Sequence, residues 1–360
     1  MTDTTPARTP QARILYADIL RIVATFFIVL IHTSTFEWFD APVTSLHWVG
    51  LNFYDSLSRW AVTAFLMLSG MLFLDPAVNR PTVKIYTKYI PRIACALVFW
   101  DILYGCVHLA ARPGNPCFTD IVRIPLSLLF SPQIHLWFLY VIIGLYILTP
   151  LLRVFTRHAE KKDVIYFLAL FLVFGTLLPG VNFIIHQTLH LSLYKHIIIP
   201  GFASFIGAFV AGYFFSHYEI SKTARRVFYA LGIASWCIVF FGTWYFALLH
   251  GEPDEYLFGN LRTTTFLIAV AAFLFVRERF KDRVAGPKMQ KVISELSACT
   301  FGIYLVHPLF LMTYSKMHGD LYFWPVFISV PVAAFVIFAL SLAAIFLVRK
   351  ILPGVSRWIT

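Results

Sequence analysis

Charged residues are scarce in this sequence: Asp, Glu, Lys and Arg together make up 13% of it, about half of what an ordinary soluble domain carries. Hydrophobic residues reach 59%, more apolar surface than a water-soluble core can bury. Of the two signs the acidic one is rarer, 18 Asp and Glu against 29 Lys and Arg, for a net charge of +11. Cysteine is also sparse. Cys95, Cys106 and Cys237 fall in apolar stretches, Cys299 lies near a basic segment and Cys117 in an intervening loop, so neither a disulfide framework nor zinc-ligand spacing is present. No long polar stretch is left over for a folded soluble domain. Internal repeats and matched pairs of interrupted helices, the marks of many transporters, are missing too.

What is present is a series of apolar runs long enough to cross a bilayer, which takes roughly 20 residues at about 1.5 Å per residue. They lie at about 14–36, 58–74, 89–111, 135–152, 164–184, 199–216, 227–249, 261–276, 298–315 and 324–348. The runs lack the two-residue alternation of barrel strands, and in hydrocarbon only helices and closed barrels satisfy their backbones. The expectation is an all-α polytopic membrane protein, a bundle of about ten transmembrane helices with both termini cytoplasmic. Residues 1–13 would be a cytoplasmic tail, 14–349 the membrane domain and 350–360 a second tail. The first run is too long for a signal-peptide core and lacks a clear small-residue cleavage site, so it should remain as a helix.

A positive charge of this size could suggest nucleic acid, but its placement reports topology instead. Arg8 and Arg13, then Arg80 to Arg92, Arg153 to Lys162, Lys222 to Arg226, Arg277 to Lys291 and Arg349 to Arg357 flank alternate ends of the runs. That puts 22 of the 29 basic residues on one side, the cytoplasmic side by the positive-inside rule. With loops this short, any chemistry must sit in the bundle or at its margins.

Ionisable groups inside a span cost about 2.5–3.5 kcal/mol near its centre and are functional candidates by default. In YADILRIVATFFIVLIHTSTF, eleven residues separate Arg21 from His32, which brings them to within roughly 20° on a helix, with Asp18 and Thr25 close to the same face. In the plainer reading Arg21 snorkels to the headgroups with Asp18 as partner, and His32 marks the opposite interface. In the sharper one the stripe lines an internal path, with His32 as a base near neutrality and Arg21 gripping an anion. A transporter or flippase for a lipid-linked sugar or small anion would use the same residues as a substrate or proton path.

Four motifs recur in order. They are the RX10H element from Arg21 to His32, SRWAVTAFLMLSGMLF from Arg59 through Gly70, HLWFLYVIIGLYILTPLLR with His135 and Trp137, and TFGIYLVHPL with Tyr304 and His307. Together they resemble the bacterial membrane acyltransferase-3 family over nearly the whole chain, and within it stand-alone members similar to the enterobacterial common antigen O-acetyltransferase. The resemblance implies a multi-pass protein of the bacterial inner membrane. It would move an acyl group, usually acetyl from acetyl-CoA in the cytoplasm, to a hydroxyl of a lipid-linked or surface glycan. It further implies His32 as catalytic base with Arg21 as its partner, and Arg59 at the outer end of the second helix; Asp18 joins the catalytic candidates by its place on the same helix face. Arg59, Tyr304 or Trp137 could supply donors to a developing oxyanion. Relatives often carry arginines before the third helix. Here KIYTKYIPR has Lys84 and Lys88 in their place and only Arg92 matching, for coenzyme A phosphates or simply for orientation.

Other polar residues keep two readings. Pro308 frees a backbone carbonyl next to His307, which favours a hydrogen-bonding role for this histidine over catalysis. His135 and Trp137 suit an interfacial aromatic belt, or stacking on a sugar. Asp101 is an intramembrane carboxylate with no assigned role. His186, His190 and His196 read as surface histidines rather than a metal site, and no metal is expected.

Overall fold

A computed structural model describes residues 14–76, 81–110, 135–189, 191, 201–260, 262–318, 322 and 324–360. The described residues form helices and no strands. In chain order these are α1 (Leu15–Ser34), α2 (Leu46–Ser58), α3 (Trp60–Leu74), α4 (Thr82–Ala110), α5 (Trp137–His158) and α6 (Lys161–Gln187). They continue with α7 (Gly201–His217), α8 (Lys222–His250), α9 (Thr263–Phe280), α10 (Pro287–His318), α11 (Val326–Ile351) and a short α12 (Pro353–Ile359). Among the described residues nine spans are long and apolar enough to cross a membrane, α2 and α3 counting as one, and Phe205–His217 within α7 is apolar but shorter than these.

Several elements exceed their expected bounds, α10 beginning at Pro287 rather than near 298 and α4 at Thr82 rather than near 89. The second span begins at Leu46 rather than near 58, with a break at Arg59 between α2 and α3. Asn52, Asp55, Ser56 and Ser58 lower the hydropathy of α2, yet all four are fully buried and each makes a hydrogen bond or ion pair with the protein. The Asn52 amide donates to the Phe240 carbonyl of α8 at 3.0 Å, and the Ser58 hydroxyl to the Tyr54 carbonyl at 2.6 Å. At the other end, residues expected as a tail from 350 form α12 and pack on α4. The Trp100 indole donates to the Ile359 carbonyl at 2.8 Å and Arg92 to the Thr360 carbonyl at 2.5 Å. Residues 1–13 lie outside the described residues.

The tightest helix pair is α3 against α7. A Cβ at Gly70 would run into the Phe209 carbonyl, and one at Gly212 into the Met67 carbonyl. The two glycines therefore let the backbones touch reciprocally, the device by which membrane helices gain dispersion energy where no hydrophobic effect drives them together. The LSG of the second motif has this physical reason.

One face of the bundle collects the ion pairs. Arg277 and Lys281 hold Glu219 at 2.8 and 3.1 Å, and Glu278 pairs with Arg225, with Arg277 at 2.9 Å and with Lys281 at 3.3 Å. The hydrogen bond from Lys281 holds the Glu219 carboxyl below its ordinary range. Arg153 reaches from α5 to the Phe73 carbonyl at 2.7 Å and the Thr156 hydroxyl to that of Leu74 at 3.0 Å, occupying acceptors at the end of α3. These are residues of the basic segments in the sequence, and we call this face the basic face. Gly70→Val should lower stability by about 1–3 kcal/mol or more, because backbone cannot yield to the added methyls. Gly180→Ala, where a Cβ meets nothing, should be neutral or slightly stabilising. Thermal unfolding in detergent measures both.

Candidate functional site

The polar stripe of α1 faces α10 along its length. Near the basic face the Ser297 hydroxyl of α10 donates to Asp18 at 2.6 Å, while Arg21 lies 3.3 Å from the same carboxylate oxygen and 3.0 Å from that hydroxyl. Eleven residues further along, roughly 16 Å at about 1.5 Å per residue, His32 packs on His307 of the same helix, ring centroids 5.0 Å apart. The shared face read from the spacing is thus present. Asp18 and Arg21 nevertheless form a separate cluster from His32.

Around His32 the structure assembles residues from α4, α10 and the turn that leads into α5. His135, just before α5, lies 6.3 Å from His32 and 5.7 Å from His307 between ring centroids. Tyr304, one turn before His307 on α10, donates its hydroxyl to the His135 carbonyl. Tyr104 of α4 packs edge-on against His135 at 5.1 Å and donates to the Leu305 carbonyl at 2.8 Å. His307 and Tyr104 are fully buried, His135 nearly so, and His32 partly.

Local sequence explains how His307 is held. Pro308 has no N–H, so the helical bond to the Tyr304 carbonyl is lost. The His307 Nδ1 lies 2.8 Å from that carbonyl and 3.2 Å from that of Ile303, and replaces it as donor. The bonding assigns the proton of the neutral ring to Nδ1 and leaves Nε2 as a bare acceptor. This Nε2, like that of His135, is buried with no hydrogen-bond partner among the described residues. Buried polar atoms are rarely left so, and two in one cluster mark a place where a further group is accepted. The hydrogen-bonding role expected of His307 is seen, and its ring meets His32 as well.

Arg59 occupies the break between α2 and α3. Its guanidinium pairs with Asp55 at 2.6 Å and lies 4.3 Å from the centroid of the Phe258 ring, and both α2 and α3 pack against α1, which carries His32. Asp55 is fully buried, and its other oxygen and the Arg59 Nε have no hydrogen-bond partner among the described residues.

The remaining candidates stand apart. Trp137 packs against Phe205 at 5.7 Å and Phe138 at 6.0 Å rather than against the histidines. Lys84 and Lys88 are exposed on the first turns of α4, whereas Arg92 is half-buried and tied to the C-terminal Thr360. Asp101 is buried within α4. His186 lies on α6; His190 and His196 fall outside the described residues. Among the described residues no group of three or more His, Cys, Asp or Glu is arranged to hold a metal ion. Two contributors, Tyr104 and Asp55, were missed from sequence. Asp55 had a signal, the i,i+4 spacing to Arg59. Tyr104 had none, being one of 17 tyrosines in an aromatic-rich chain.

A buried Asp–Arg pair is fragile to loss of one member, which strands the other charge. Arg59→Ala should therefore cost about 3–5 kcal/mol. The Asp55→Ala, Arg59→Ala double variant should recover much of that loss, a coupling that a thermal-unfolding double-mutant cycle reads directly.

Compared with known proteins, residues 14–350 match the acyltransferase-3 family, described as an acyltransferase domain. No curated protein and no solved structure matches the chain.

Proposed function

The chain belongs to the acyltransferase-3 family, and from that premise we propose that it moves an acyl group, acetyl in the first instance, from cytoplasmic acyl-CoA to a hydroxyl of a cell-surface or lipid-linked glycan at the bacterial inner membrane. The observation that carries this reading is the histidine cluster inside the bundle, with two buried imidazole nitrogens unpartnered beside His32. An acceptor hydroxyl placed there meets a ring able to take its proton.

In the proposed reaction His32 removes the hydroxyl proton and the oxygen attacks the thioester carbonyl. As the tetrahedral intermediate collapses the C–S bond breaks, and the His32 imidazolium returns its proton to the departing coenzyme A thiolate. Among the donors considered for the oxyanion, Tyr304 already gives its hydrogen to the His135 carbonyl and Trp137 faces Phe205. Arg59, with an unpartnered Nε, is the best placed. His135 and His307 would receive the acceptor side through their open nitrogens. Asp18 and Arg21 would line the donor's path from the basic face. The exposed Lys84 and Lys88, which form no ion pair among the described residues, would hold coenzyme A phosphates together with Arg92.

On the resemblance of its motifs alone, we take a lipid-linked glycan of the enterobacterial common antigen type as the first acceptor to try. With purified protein in detergent, labelled acetyl-CoA and such an acceptor, His32→Ala should lower transfer by about 10²–10⁴-fold. Undiminished transfer by this variant sinks the mechanism. Movement of the lipid-linked sugar across proteoliposomes with no acetyl incorporated would identify a transporter instead. Lys84→Ala with Lys88→Ala should raise the KM for acetyl-CoA several-fold with little change in kcat, since a phosphate contact is made equally in ground and transition states.

A further inference from the structure

On the side of the bundle away from the basic face, the chain crossing from α8 to α9 walls a cleft of about 590 Å³, to which Arg59 also contributes. This size lies within the roughly 300–1,000 Å³ of small-molecule sites. Its wall is pinned at several points. The Tyr256 hydroxyl donates to the Pro179 carbonyl of α6 at 2.8 Å, and the Tyr256 ring is sandwiched with Phe183 at 3.2 Å and Arg262 at 3.5 Å. Thr63 of α3 donates to the Asn260 carbonyl at 3.2 Å and Thr265 of α9 to that of Gly259 at 3.1 Å. A loop fastened to three helices is preorganised, so a ligand meets little ordering cost.

The lining is rich in hydrogen-bonding groups and uneven in charge. Asp254 is internally engaged, accepting from the Tyr256 N–H at 2.8 Å and lying 3.4 Å from His250. Glu252 and Glu255 are exposed in the cleft and make no ion pair among the described residues. Of the two arginines there, Arg59 is already matched by Asp55, and Arg262 donates to the Tyr256 carbonyl at 2.9 Å. The cleft thus carries three carboxylates against two guanidiniums, one of which is already matched by Asp55 outside the lining. Such a lining suits hydroxyl donors and repels anions. Arg59, which lines the cleft, stands at the break between α2 and α3, both of which pack against α1, the helix that carries His32.

We propose that this cleft, between the α8–α9 connection and Arg59, is the acceptor-binding site and takes an uncharged, hydroxyl-rich sugar of the glycan, with Glu252 and Glu255 as its hydrogen-bond acceptors. The inference rests on the acyltransferase reading above and specifies its acceptor. The anionic donor and the neutral acceptor would then enter from opposite faces, the donor drawn to the basic face and kept from the acceptor's entrance by charge.

Saturation-transfer NMR on the full chain in detergent tests it, with chitotriose as the neutral probe and trigalacturonate as the anionic one. The wild type is expected to bind chitotriose in preference to trigalacturonate. The double variant E252Q/E255Q should weaken chitotriose binding about tenfold or more, since each carboxylate replaced removes a charge-assisted hydrogen bond. Retained thermal stabilisation by coenzyme A shows that the variant is folded. Equal affinity of variant and wild type for chitotriose, preference for trigalacturonate, or no saccharide binding by the wild type overturns the proposal. Consumption of acetyl-CoA by the wild type is measured alongside. Its absence defeats the acyltransferase reading, whereas its presence with unaltered saccharide binding defeats only the cleft.

Discussion

Hydrocarbon offers no hydrogen bonds, and that constraint governs where every polar group of this chain can be. Backbone groups freed by a proline or a helix end must be met by a side chain, and buried side chains must be met by one another. Pro308 frees a carbonyl, and His307 fills it. The end of α3 exposes carbonyls, and Arg153 and Thr156 of α5 fill them. Asn52 crosses to the backbone of α8 for the same reason. Each of these contacts also fixes how two helices stand, so satisfying the backbone and building the bundle are one event. Among the buried polar atoms left without a hydrogen-bond partner in the described residues are the Nε2 atoms of His135 and His307 beside His32, and atoms of Asp55 and Arg59.

Topology was legible in the sequence because it rests on bulk properties. Hydropathy marks the spans, and the alternation of Lys and Arg marks one face, where the structure indeed gathers Arg225, Arg277 and Lys281. The eleven-residue spacing of Arg21 and His32 correctly placed both toward one neighbour. What spacing alone could not give was the identity of that neighbour, α10, or the partition of the stripe into two clusters. α2 escaped because its buried polar residues look, in a hydropathy window, like a loop. Their partners lie as far away as Phe240, and no local pattern shows them.

The candidate site was legible residue by residue but not as a geometry. His32, His135, Tyr304 and His307 could each be named from motifs, and their convergence is a tertiary fact. Trp137 shows the converse. It sits two residues from His135 in the same motif, yet the turn into α5 sends it toward Phe205. Tyr104 joins the cluster from a helix that carried attention for Lys84, Lys88, Arg92 and Asp101. Adjacency in a motif is a poor guide to adjacency in a bundle, because one step along a helix rotates the side chain by about 100°.

The way the cluster is oriented has a consequence for the chemistry of a base in a membrane. In water-soluble enzymes an imidazole base is commonly steered by a carboxylate on its other nitrogen. A carboxylate there would bring a second buried charge into a low-dielectric interior, where its desolvation costs several kcal/mol. This chain steers an imidazole with backbone instead: the carbonyl that Pro308 strips of its helical partner receives the His307 proton and aims the bare nitrogen into the cluster. The orientation is obtained from a neutral dipole that the helix had to satisfy in any case. The residue pair His307–Pro308 therefore serves the stability of α10 and the polarity of the cavity beside His32 by the same bond.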